Sequence, residues 1–192
     1  GWLPFRRLVT VAPMLSVRMV RWPAGAAFLS RALHRIGLGD RYIPFGKPVS
    51  IATKPYEGNR LSRDPFRYAR NAAAARQVGA GAVGDPTIAW LAEAFRAMAR
   101  LRDPRAAPRI TLPTLIVAAG ADPVCGTLDT ERFAARMKAG HILVLPDSRH
   151  EILTERDAIR QDFWAAFEAF VPGSPLPTHA EVEAHAVAVP VA

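Results

Sequence analysis

The 192 residues are half hydrophobic and carry 25 Lys and Arg against 17 Asp and Glu, a formal charge of +8; this excludes a disordered chain and leaves room for one domain with a sizeable core. The longest apolar runs, such as TLIVAAG at 114–120, are too short to span a bilayer, and no amino-terminal stretch shows the order of charged, apolar and small residues that marks an export signal. The single cysteine, Cys125, cannot form an internal disulfide, which fits a reducing compartment and an expected cytoplasmic location.

The first element in chain order is RRLVTVAPML at 6–15, a β-branched apolar run ended by proline, which predicts a strand buried on both faces. Next comes WPAGAAFLSRALHRIG. Pro23 stands near its start, Phe28, Leu29, Leu33 and Ile36 recur at helical spacing, and Gly37 supplies a stop. A loop rich in Gly and Pro follows, carrying RYIPFGKPVS and YEGNRLSRD. Asp64 with Pro65, and Asp85 with Pro86, each predict a helix opened by a capping residue and a first-turn proline. Through these helices the arginines lie scattered at spacings that fit solvated faces. The chain has no aromatic-interleaved basic stripe and no zinc knuckle, so nucleic acid is set aside as a partner, and an anionic membrane surface is kept as a peripheral contact.

From 110 the pattern alternates strand and helix: TLIVAAG, then DTERFAARMKAG with Gly140 as its stop, then HILVLP, then ERDAIRQDFWAAFEAFV. That order predicts parallel strands with helical crossovers, hence an α/β sheet. Beyond Pro172 the chain lacks periodicity and is expected to be a disordered tail. The predicted organisation is a core strand and loop at 1–17, a helical region at 18–109, an α/β core at 110–171 and a tail at 172–192.

In open α/β sheets ligands bind beyond the carboxyl ends of the strands. Asp122 and His150 occupy such positions, each a few residues past its strand. If the strands are neighbours the two side chains can meet, with the carboxylate accepting from Nδ1 and leaving Nε2 as a general base. On turn chemistry alone Asp122 reads equally as a turn residue before Pro123, and His150 as a solvated loop histidine. His34 and His141 read as packing residues, and His179 and His185 in the tail have no partners that suggest a metal. Cys125 reads as a small buried hydrophobe.

VAAGADPV, followed 28 residues after its aspartate by the histidine of PDSRHEILTE, resembles the acid and base segments of α/β-hydrolases. With VAPML, YEGNRLSRD, GDPTIAWLAEAF and HEILTERDAIR, the resemblance is to the lysophospholipase and monoacylglycerol lipase branch, often catalogued with serine aminopeptidases, and it runs from Leu8 to about Phe170. It implies that Asp122 is the triad acid and His150 the base, that residues 18–109 are a cap, and that Met14, Asn59 and Trp90 line or support the acyl pocket. For Trp90 core packing is the competing reading. The substrate implied is a small acyl ester or lysophospholipid, with no cofactor and no metal. One departure stands out: no G-x-S-x-G elbow occurs, and no serine is flanked by its glycines. The expected fold is therefore the carboxyl-terminal part of an α/β-hydrolase sheet with a helical cap insertion, inactive alone because its serine lies outside the chain. A non-lipid esterase or peptidase of the same fold is the alternative within enzymes. A non-catalytic chain with a basic membrane-binding or partner-binding surface is the alternative outside them.

Overall fold

The structure is a computed structural model that describes residues 5–171. The expected disordered tail, with His179 and His185, lies outside the described residues.

The chain enters as strand β1 (Leu8–Val11), then forms helices α1 (Pro23–Leu33), α2 (Pro65–Val78), α3 (Ile88–Arg102) and the short α4 (Ala106–Arg109) before strand β2 (Thr114–Ala119). Helix α5 (Thr127–Ala134), strand β3 (Gly140–Leu145) and helix α6 (Asp157–Phe170) complete it. The three strands pair in the order β1-β2-β3, all parallel, with Leu8 opposite Thr114 and Thr114 opposite Gly140. No helix among the described residues is long and apolar enough to cross a membrane.

All six residues of β2 are buried, and the strand's period of two distributes them between two cores. Leu115, Val117 and Ala119 pack with Leu145, Ile152, Ile159 and Phe163 on the α6 side. Ile116 packs with Leu15, Ala107, Phe133 and Ala134 on the α5 side. A central strand covered on both faces has no polar side to show, which is why TLIVAA reads as a continuous apolar run.

Four expectations need correction. β1 is shorter than the 6–15 run, and its residues are exposed or half-buried, because β2 is its only neighbour among the described residues. Helix α3 is capped not by Asp85 but by Thr87, whose hydroxyl accepts from the amide of Trp90. Asp85 instead accepts from the amide of Lys47 and from Lys54 Nζ. Gly140 stops no helix: α5 ends at Ala134, and Gly140 is the first residue of β3.

Asp64 does cap α2, accepting from the Arg67 amide at 2.9 Å while pairing with the Arg67 guanidinium. The hydrogen bond donated by the Arg67 backbone amide holds its carboxyl below the ordinary value. Asp64→Ala is expected to remove about 1–2 kcal/mol, read as a lower denaturant midpoint. Because the folded pKa is depressed, that contribution is complete above the ordinary value of 3.8 and disappears as the pH falls below it. The wild-type advantage over Asp64→Ala should shrink accordingly in acid.

Candidate active site

The carboxyl ends of β2 and β3 are brought unusually close by Gly120. A Cβ at this position would sit 2.6 Å from Pro146 Cα and 2.7 Å from the Pro146 carbonyl oxygen, so only glycine fits. The contact is sealed by Gly120 N donating to Leu145 O at 2.8 Å and Ala121 N donating to Ser148 O at 3.0 Å. The loop after β2 and the loop after β3 therefore leave the sheet side by side.

Asp122 and His150 stand in those two loops, and His150 Nδ1 lies 2.9 Å from Asp122 Oδ2. Asp122 is 3% exposed. Its other oxygen, Oδ1, accepts from the amides of Val124 at 2.7 Å and Cys125 at 3.0 Å. Arg18 donates to its backbone carbonyl. Both carboxylate oxygens are thus engaged, and the side chain has one orientation available. Burial raises the acid's pKa, but the hydrogen bonds from His150 and from the two amides outweigh it and hold the carboxyl below its ordinary value. The imidazole is pushed up to about 10, first by its bond to Asp122 and then by the Cys125 thiol, against its own burial. The site therefore favours the imidazolium, the form that a base reaches when it accepts a proton.

Cys125 is buried as expected, but it is also a neighbour of the pair. The donor atoms of Asp122, Cys125 and His150 all lie within 4.8 Å of one another. With both carboxylate oxygens already accepting hydrogen bonds, the arrangement is an acid–imidazole pair with a thiol beside it rather than a vacant ligand set.

The other candidates form no described hydrogen bond to the side chains of the pair. Asn59 turns its side chain onto its own loop, donating to Tyr56 O and accepting from the amides of Leu61 and Ser62. Its backbone carbonyl accepts from Arg149, the residue before His150. Trp90 is half exposed in the first turn of α3, and Met14 is half buried in the loop after β1. No described hydrogen bond brings Met14 or Trp90 to the pair.

Three residues escaped the sequence reading. Glu155 and Ser62 are fully buried polar residues, and Arg149 reaches back to the 59–62 loop. Their types are ordinary loop residues, so only the fold reveals their burial.

A family model described as "Serine aminopeptidase, S33" matches residues 3–157. A probable lysophospholipase L2 from Haemophilus influenzae is 25% identical over 153 residues, covering 80% of this chain and 48% of the relative. The chain thus spans about half the length of that relative. Among solved structures, a monoacylglycerol lipase from Paleococcus ferrophilus superposes with a TM-score of 0.64 at 21% identity, over 86% of this chain and 58% of the other. A soluble variant of the monoglyceride lipase of Saccharomyces cerevisiae, solved with a substrate analogue, superposes with a TM-score of 0.59 at 12% identity, over 84% and 54%. These likenesses place the fold among the α/β-hydrolases.

Proposed function

The chain belongs to the serine aminopeptidase S33 family, and from that premise we propose that it falls in the lysophospholipase and monoacylglycerol lipase branch of the α/β-hydrolases, with Asp122 and His150 as the acid and base of a carboxylic-ester hydrolase. The observation that carries the reading is the buried Asp122 carboxylate set 2.9 Å from His150 Nδ1, beyond the ends of two neighbouring parallel strands. That geometry fixes the tautomer and leaves Nε2 to take a proton.

The nucleophile in this reading is a serine outside the chain. Ser62 and Ser148 are fully buried and donate to backbone carbonyls, and among the described residues no serine hydrogen-bonds to His150. His150 would deprotonate that serine, which attacks the acyl carbonyl. The alkoxide leaves as alcohol with the proton from His150, and a water activated by the same imidazole then releases the fatty acid. No step draws on a metal or organic cofactor.

Residues 18–109 form the cap in this proposal. Asn59 borders a concavity lined by Met19, Ile51, Leu61 and Tyr68 together with the charged Lys54, Glu57 and Arg60; its apolar part would face an acyl chain, and Met14 and Trp90 would complete the walls. The substrate is a lysophospholipid or monoacylglycerol, presented at an anionic membrane surface in the cytoplasm. The experiment is a substrate panel on the protein translated from the whole reading frame: lysophospholipid, monoacylglycerol, a short aryl ester and an aminoacyl amide. Higher kcat/KM on the two lipids supports the proposal. Higher kcat/KM on the aminoacyl amide makes the protein a peptidase and overturns the lipid assignment.

A further inference from the structure

The Asp122 bond fixes where the imidazole points, but the backbone that carries His150 is held by neither partner of that bond. Its restraint comes from Glu155, whose side chain is 0% exposed and forms no described ion pair. Glu155 Oε1 accepts from the Arg149 amide at 2.9 Å, and Oε2 accepts from the Arg156 amide at 3.3 Å. A buried carboxyl group requires such donors, since desolvation without them is unfavourable. The amide immediately before His150 is therefore tied to a group that cannot turn to solvent.

The residue after His150 is tied as well. Glu151 N donates to Leu61 O at 2.8 Å. Arg149 Nη1 donates to Asn59 O at 2.9 Å, and Ser62 Oγ donates to Thr154 O at 2.6 Å. Asn59 in turn organises the 59–62 loop through the amides of Leu61 and Ser62. His150 thus sits between two anchored neighbours, one fixed from within its own loop and one from a loop about ninety residues away in sequence.

We infer that Glu155 is a positioning residue for His150, setting the angle at which the imidazole meets Asp122, and that the 59–62 loop couples the helical region to that angle. This rests on the proposed acid–base reading and adds the residues that aim the base. Asn59 acts in it through its carbonyl bond to Arg149, in addition to bordering the concavity proposed for the acyl chain. The 59–62 loop lies in the segment proposed as the cap, so a displacement of that segment is transmitted to the base through Arg149 and Glu151.

The test is proton NMR of the full 192-residue chain, following the hydrogen-bonded Nδ1–H of His150, which resonates far downfield and is assigned by its loss in Asp122→Asn. Glu155→Leu should abolish or displace this resonance. Glu155→Gln, whose carbonyl can still accept one amide, should restore it to an intermediate position. Arg149→Met leaves Glu155 in place and removes the tie to the 59–62 loop; it should shift the same resonance and serves if Glu155→Leu does not fold. A wild-type resonance unmoved in folded Glu155→Leu, or unmoved in both Glu155→Gln and Arg149→Met, overturns the inference while the pair stands. A downfield proton that survives Asp122→Asn removes the pair itself, and the proposed function falls with it.

Discussion

In the protein translated from the whole reading frame, His150→Ala is expected to lower kcat on the preferred ester by about 10⁶-fold and Asp122→Asn by about 10⁴-fold, if the proposed acid–base roles hold. The asymmetry follows from the two roles. Without His150 nothing removes the proton from the nucleophile. Without the carboxylate the imidazole remains but loses its tautomer and its stabilised cation. Combining the two substitutions should lower the rate little beyond His150→Ala alone, because residues that act as one unit are not additive. The pH profile carries a second signature. In the proposed mechanism catalysis needs the neutral imidazole, and the bond to Asp122 pushes the His150 pKa up to about 10, so kcat/KM should climb through the alkaline range. Asp122→Asn removes the first cause of that elevation, and its ascending limb should move to lower pH. Equal losses in a flat pH profile would separate the two residues from the proton transfer.

Residues 1–192 alone are expected to release no acyl product above the uncatalysed rate, and to associate with increasing concentration. The first expectation follows from the proposal that the nucleophile is a serine outside the chain, since in this fold the serine and the oxyanion donors lie on the elbow and on an earlier loop. The second follows from β1. Leu8 N and Ala12 N donate to Pro113 O and Val117 O, so the alternate residues Val9 and Val11 turn their backbone groups to the other edge of the strand. Among the described residues nothing pairs with that edge. Thr10 adds a buried hydroxyl without a hydrogen-bond partner. An unpaired apolar edge is a template for another strand. Size-exclusion chromatography with light scattering should show a mass that rises with loading. A monodisperse monomer with one sharp melting transition would contradict it, and ester turnover abolished by His150→Ala would contradict the first expectation.

Much of the sheet was legible because its signals are local. TLIVAA is a continuous apolar run because β2 is covered on both faces, and HILVL is a short β-branched run although β3 leaves His141 and Ile142 exposed. Asp122 and His150 could be singled out because each follows its strand at the end where loops converge. The meeting of the two could be expected only if β2 and β3 were neighbours, and the parallel pairing of Val117 with Leu143 makes them so. Gly120 reads in sequence as the end of a strand, yet its work is to let Pro146 approach, a contact between segments that no single stretch reveals.

Where the reading went astray, two local signals competed. Asp85 with Pro86 looked like a cap and a first-turn proline, but Thr87 is better placed to accept from Trp90 N, and Asp85 found Lys47 and Lys54. Gly140 looked like a helix stop because it follows a helical pattern, whereas α5 had already ended at Ala134 and the strand begins at the glycine. Glu155, Arg149 and Ser62 left no trace at all. Hydrogen bonds spanning some ninety residues have no periodicity, and a buried glutamate is written with the same letter as a solvated one.

The most direct measurement is fluorophosphonate labelling of the protein translated from the whole reading frame, with the labelled residue located by peptide mass spectrometry, in wild type and in His150→Ala. The account predicts one labelled serine outside residues 1–192, with labelling lost in His150→Ala. A label on a serine within residues 1–192, or labelling indifferent to His150, would contradict it.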